Sequence, residues 1–308
     1  MRRLAAALVI TLVLGAAAQA TDLVVYFLDV GHGDAILVDF GRWEALVDAG
    51  GLLSYCGGQD PAEPDSVRFC IERESALLAS LIDGALELAV LTHCHEDHYA
   101  GLEFILDHYC VLELWESAAS RISRCASPHS AGLKLRILEE GCPVRAVATG
   151  DRFFYGPLTW VAVLPDEPDR DESSGGGACC VTDDDDMAVN LASLVLVLTY
   201  GQASLILPSD YVEAPPSTVT SISLPSGERL LALPHHGRDI EAAMGFADWA
   251  LPSAAVISDE PQTGETLPEA MERLQGRGIP CWFTALQGSI SAHTDGTVWY
   301  LTPLAESL

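Results

Sequence analysis

LTHCHEDHYAGL, residues 91–102, sets three histidines, two acidic residues and a cysteine in the six positions 93–98, directly after an apolar run. The pattern is His93-x-His95-x-Asp97-His98. Imidazole and carboxylate are the ligands that hold zinc and similar divalent ions. In an extended chain, residues two apart point the same way, so His93 and His95 can grip one ion. Asp97 and His98 lie a step further on and can reach a second. A lone histidine here would read as a polar loop residue, but three with an aspartate in this register after a buried strand point to a metal site. Gly101 relaxes the turn ahead of Leu102–His108, which reads as a helix.

Outward from the motif, strand signals dominate. Before it, 23–30, 35–40 and 43–47 read as strands, parted by the turns Gly31-His32-Gly33-Asp34 and Gly41-Arg42. Glu72–Ile82 has helical spacing, and 86–91 is the strand that delivers the histidines. Beyond it, 111–115, 144–148, 158–164, 191–207 (two strands about a Tyr-Gly turn), 230–233, 254–258 and 279–284 read as strands. Residues 130–140 and 268–275 read as helices, and a hairpin closes the chain around Asp295-Gly296. The stretches 52–70 and 165–186 read as surface loops, with Asp183–Asp186 as a solvated run of charge. The strand-rich opening excludes a simple doubly wound parallel sheet. The order predicts an α/β chain in which two mixed sheets pack face to face with helices outside.

The chain opens MRRLAAALVITLVLGAAAQA: a basic start, an apolar run too short for a comfortable span, and a small-x-small cleavage site. Residues 1–20 are therefore expected to be a secretory signal peptide, and the mature chain to be exported, periplasmic or extracellular, without stable membrane insertion. Residues 21–308 carry no low-complexity linker or repeat and are expected to form one domain. The chain has 16 basic and 44 acidic residues, a net charge of −28, and Lys134 is its only lysine. Such a surface repels polyanions, and extended DNA binding, which depends on Lys and Arg neutralising phosphates, is not expected. Nine cysteines in an exported chain can oxidise. The number is odd, so one stays free or pairs between chains; Cys94, inside the histidine cluster, is the expected one. Cys56 with Cys70 and Cys110 with Cys125 are the expected loop closures, and Cys179-Cys180 is read as structural.

His93-x-His95-x-Asp97-His98 resembles the signature of metallo-β-lactamase-fold hydrolases, and within them the metallo-hydrolase domain of ComEC-type competence proteins and its stand-alone relatives. Four further stretches carry the resemblance, in the family's order. Phe27-Leu28-Asp29-Val30-Gly31-His32-Gly33-Asp34-Ala35 is similar to the group's FLDVGQGDA, with His32 where Gln is usual. Leu46-Val47-Asp48-Ala49-Gly50 is similar to LIDAG, Ser193-Leu194-Val195-Leu196 with the strand into Asp210 to SLVL…LLTGD, and Pro234-His235-His236-Gly237 to PHHGS. The resemblance implies a four-layer αββα sandwich. It implies that His93, His95, Asp97, His98, Asp210 and one of His235 and His236, with His236 preferred, hold two divalent ions, zinc first and manganese as the alternative. Asp210 would bridge them, and Asp48 and Asp34 would support the ligands from behind. Asp97 and His235 would be the catalytic residues, His235 lying near the substrate. Asn190 and Ser193 stand where many relatives complete the first ion's shell with a histidine, a third-ligand or substrate position. Ser209 replaces the family's Gly, and Arg238 its Ser; Arg238 could pair with a substrate phosphate.

Two adjacent ions make hydroxide available near neutral pH. The expected reaction is hydrolysis of a phosphodiester, small or locally presented given the acidic surface. The alternatives are hydrolysis of a lactone, β-lactam or other carbonyl substrate on the same fold, and a non-catalytic binding module that retains it.

Overall fold

The computed structural model describes residues 22–51, 71, 74–82, 84–124, 130–163, 183–260 and 269–304. The expected signal peptide, the Cys56–Cys70 pairing and Cys179-Cys180 lie outside the described residues. In chain order the strands are β1 (Leu23–Phe27), β2 (Ile36–Asp39), β3 (Glu44–Val47), β4 (Ala85–Leu86), β5 (Leu88–Leu91), β6 (Cys110–Val111), β7 (Leu114–Ser117), β8 (Val144–Val147), β9 (Arg152–Tyr155), β10 (Leu158–Val163), β11 (Val195–Tyr200), β12 (Ala203–Leu207), β13 (Arg229–Ala232), β14 (Ala254–Ile257), β15 (Cys281–Phe283), β16 (Ile290–Thr294) and β17 (Trp299–Pro303).

One sheet has eight strands in the order β17-β16-β1-β2-β3-β5-β7-β8, and the other seven, β15-β14-β13-β12-β11-β10-β9. Both are mixed. β3, β5, β7 and β8 run parallel, as do β12, β13, β14 and β15, and the remaining ladders of these two sheets are antiparallel; β4 and β6 form a separate parallel pair. Side chains alternate across a strand, and β11 shows the result. Leu196 and Leu198 enter the layer between the sheets, where they meet Val25, Phe27, Val90 and Leu205. Val195 and Val197 face the other way, onto the helix Ile240–Ala250. Both faces are covered, so the strand is apolar throughout rather than alternating. The eight-stranded sheet does the same. Leu46, Ala89 and Leu91 pack outward against Leu78, Phe104, Ile105, Leu133 and Ile137, from the helices Ser75–Leu81, Leu102–His108 and Ser130–Glu140. The layers are helix, sheet, sheet, helix, as expected.

Several details differ from the sequence reading. Asp183–Asp186 begin a helix, Asp183–Leu191, instead of lying in a loop; acidic residues suit a helix N-terminus because they oppose its partial positive charge. β9 was not anticipated. It is an exposed edge strand, joined to β10 by Gly156-Pro157 with Gly156 at φ +54. The helix Ile240–Ala250 was also passed over, because much of its buried face is alanine (Ala242, Ala243, Ala247, Ala250). Among the described residues, no helix is long and apolar enough to cross a membrane.

The parallel strands of both sheets end on the same side of the sandwich. Asp48 follows β3, Thr92-His93 follow β5, Ser209-Asp210 follow Pro208 after β12, His235-His236 come shortly after β13, and Asp259 comes after β14. This is where parallel α/β sheets present polar groups, because the connections leave a crevice beyond the strands' carboxyl ends.

Candidate metal centre

Asp97 and His98 do not continue the extended chain of His93 and His95. They sit on a one-turn helix, Glu96–Tyr99, which turns them toward a different point. The Asp48-Ala49-Gly50 segment clamps that turn: Ala49 N donates to His98 O at 2.8 Å and Gly101 N to Ala49 O at 2.6 Å. The fit needs glycine. A Cβ on Gly50 would lie 1.6 Å from the Asp97 carbonyl oxygen, and one on Gly33 2.2 Å from it.

Two donor groups adjoin, each with its ligand atoms within 4.8 Å of one another: His93, His95 and Asp210, and Asp97, His98, Asp210 and His236. Asp210 belongs to both, one oxygen to each side. Oδ1 is 3.2 Å from His98 Nε2 and 3.5 Å from His236 Nε2; Oδ2 is 3.8 Å from His93 Nε2. His93 Nε2 lies 3.1 Å from His95 Nδ1, and Asp97 Oδ2 3.5 Å from His236 Nε2. His98 Nε2, His236 Nε2 and Asp210 Oδ1 are buried and make no well-formed hydrogen bond. Buried polar atoms left this way are costly, and imidazoles and carboxylates converging on two points fit divalent ions.

The far side of each ring is held. Asp48 Oδ2 accepts from His98 Nδ1 at 2.8 Å and from Thr92 Oγ1 at 2.7 Å, while its Oδ1 accepts from Thr92 N. Thr92 Oγ1 in turn lies 3.1 Å from His93 Nδ1 and 2.6 Å from Ser209 Oγ. One buried carboxylate thus orients a histidine in each group. His236 Nδ1 donates to the Ser258 carbonyl at 2.8 Å, which turns Nε2 inward. Asp34 is buried beside Asp48 and His98. Among the described residues, four of the five non-glycine residues with positive φ, Asp48, Ser209, His235 and His236, lie here; such strain collects at functional sites.

His236, and not His235, is in a donor group. His235 Nε2 is 3.9 Å from Asp210 Oδ2, its Nδ1 bonds the Asp239 carboxylate, and its side chain is 26% exposed, at the mouth of the site. Asn190 and Ser193 are buried, and their Oδ1 and Oγ make no hydrogen bond. Their segment runs beside the motif, where Leu194 N donates to Thr92 O. Arg238 is not a free phosphate ligand: its guanidinium pairs with Asp259 at 3.3 Å. Asp259, Asp239 and Thr92 went unnoticed in the sequence, although Asp259, like Asp210, follows closely on a buried strand. Cys94 takes part in a disulfide, so it is not the unpaired one. Its place between two ligands does not keep it reduced, because neighbours along an extended segment point apart. Cys110 is a free thiol, which removes the Cys110–Cys125 pairing.

Without metal the centre is a set of coupled charges. Burial, then His98 and His95, hold His93 well below the ordinary histidine range. Burial opposes charge on His236 too, but the Asp210 carboxylate, then Asp97 and Asp34, prevail and push it up to about 10. Burial raises Asp210, yet His98 and His236 outweigh it and bring its carboxyl down. In the metal-free chain, the His236 pairing adds stability that is fully present below pH 6.5 and is lost as pH rises through about 10. An ion taken up at neutral pH must displace that proton. Zinc titrations in buffers of different ionisation enthalpy should show proton release at pH 7. Apparent affinity should rise about tenfold per pH unit for each proton displaced. Uptake without proton release would show that His236 is not a ligand.

No family model matches the chain. The chain is 25% identical over 235 residues to ComE operon protein 3 of Bacillus subtilis (strain 168), a match covering 75% of this chain and 27% of that protein. It therefore spans about a quarter of the length of that curated relative. Among solved structures, the metallo-β-lactamase fold protein YhfI from Bacillus subtilis aligns with a TM-score of 0.51 at 12% identity, over 89% of this chain and 100% of that one. That likeness shows the fold, and the match to ComE operon protein 3 agrees with the ComEC-type resemblance of the motifs.

Proposed function

We propose that this chain, which has the metallo-β-lactamase fold and two adjoining donor groups at its strand ends, is a dinuclear metal-dependent hydrolase of phosphodiesters. The observation that carries the reading is the division of Asp210 between the groups, Oδ1 toward His98 and His236, Oδ2 toward His93. His93, His95 and Asp210 would hold one ion, and Asp97, His98, Asp210 and His236 the other; zinc suits this donor set, with manganese as the alternative. When bound, such ions activate water near neutral pH and offset charge developing in the transition state. The protein's own residues do the rest. Asp48 and Thr92 keep the rings in register. His235, steadied by Asp239, presents Nε2 at the mouth, where it can hydrogen-bond the substrate and return a proton to the leaving oxygen.

The ComEC-type resemblance supports the phosphodiester class, and the net charge of −28 favours a small or locally presented substrate over long duplex DNA. The apolar leader at residues 1–20 and the disulfide at Cys94 support action outside the cytoplasm, by one domain spanning 21–308. The test is turnover of bis-p-nitrophenyl phosphate by residues 21–308 with added zinc or manganese, beside Asp97→Ala. The expected result is metal-dependent turnover that falls to background in the variant. Two bound ions without turnover would turn the reading to carbonyl substrates. No bound ion would leave a binding module.

A further inference from the structure

Asp97 has a neighbour that belongs to neither donor group. His32 Nε2 lies 3.0 Å from Asp97 Oδ2. Its other nitrogen, Nδ1, lies 2.8 Å from Asp259 Oδ1. The ring is held between two carboxylates. Asp259 is itself fixed: Arg238 Nε donates to its Oδ2 at 3.3 Å and Arg238 Nη2 to its Oδ1 at 3.3 Å, while Asp259 N donates to Thr284 Oγ1. His32 is 7% exposed and Asp259 3%, so this is a built polar network and not a surface ion pair. It also joins the halves of the fold. His32 is on the turn between β1 and β2 of one sheet, and Arg238 and Asp259 follow β13 and β14 of the other. Two of its three members, His32 and Arg238, stand where the chain departs from the motifs it resembles.

We propose that His32, clamped by Asp259 and Arg238, is a positioning residue that sets Asp97 Oδ2 for the second ion. The inference rests on the metal reading above. A carboxylate free to rotate about its terminal torsion presents its oxygens in many directions. With one oxygen tied to His32, Asp97 keeps Oδ2 at 3.5 Å from His236 Nε2, and the second donor group is assembled before the ion arrives. The clamp does not touch His93 or His95, so its effect belongs to one ion and not to both. It also gives Arg238 a role that needs no substrate phosphate.

The test is a competitive zinc titration of the metal-free mature chain against a chromophoric chelator, resolving the two binding steps. His32→Leu should weaken one step about 10- to 100-fold, the range for losing a group that orients a metal ligand, and leave the other unchanged. His32→Gln keeps a donor for Asp97 and should recover most of the loss. Arg238→Ala, at a half-exposed position, should weaken the same step to a smaller degree, and it decides the matter if His32→Leu fails to fold. Two wild-type steps that both persist unchanged in the variants overturn the proposal, and so does equal weakening of both. If the wild-type chain takes up no zinc, the metal reading falls and this inference with it.

Discussion

Asp210→Asn should reduce the chain from two bound ions to fewer than one and bring phosphodiester turnover down about a thousandfold or more. The substitution keeps the shape of the side chain and removes its charge and one of its two oxygen donors. Each other member of the two adjoining groups serves one of them; Asp210 serves both. Loss of either ion forfeits several kcal/mol of transition-state charge stabilisation, and each 1.4 kcal/mol or so is tenfold in rate. Metal analysis after gel filtration reads the first effect and initial rates the second. The metal-free variant should lose stability as well, because His98 and His236 lose the carboxylate that pairs with them, so circular dichroism is read beside the metal content. Two ions retained by Asp210→Asn would show that the carboxylate does not bridge.

The second large effect is Gly50→Ala. A methyl group there would sit 1.6 Å from the Asp97 carbonyl oxygen and 3.0 Å from Asp34 N. Both are backbone atoms, and neither can swing aside as a side-chain tip would. The Glu96–Tyr99 turn must move, and it carries Asp97 and His98. Overpacking at a rigid site costs about 3 kcal/mol, a fall in melting temperature on the order of 10 °C for a chain of this size. Metal uptake should fail in whatever protein remains folded. Differential scanning fluorimetry with and without zinc separates the two effects, since zinc should stabilise the wild type and not the variant. A variant that melts like the wild type and responds to zinc would show that the Asp48-Ala49-Gly50 segment does not pack as described.

Much of the centre could be read along the chain because its ligands follow strands. A run such as Leu88–Leu91, buried on both faces, is conspicuous, and the polar residues just after it stand at the strand's carboxyl end. His93, His95, Asp97 and His98 are read this way, Asp210 and His236 through the resemblance, and the structure gathers all six into two groups that share Asp210. The edge strand Arg152–Tyr155 and the alanine-lined helix Ile240–Ala250 lack that contrast, and Asp259 follows a buried strand but belongs to none of the motifs.

The sequence by itself pointed to the layered fold, through strands apolar on both faces, and to the candidate ligands His93, His95, Asp97 and His98, through their spacing. The tertiary structure decided what lies beside and behind those candidates. The choice between His235 and His236 turns on their hydrogen bonds to Asp239 and to the Ser258 carbonyl, and the pairing of Arg238 with Asp259 removes it from the free phosphate ligands. The link from His32 to Asp97 crosses from one sheet to the other. Spacing reports which way neighbours along one strand point. It carries no information about which side chains meet when two sheets, distant along the chain, close over the same crevice.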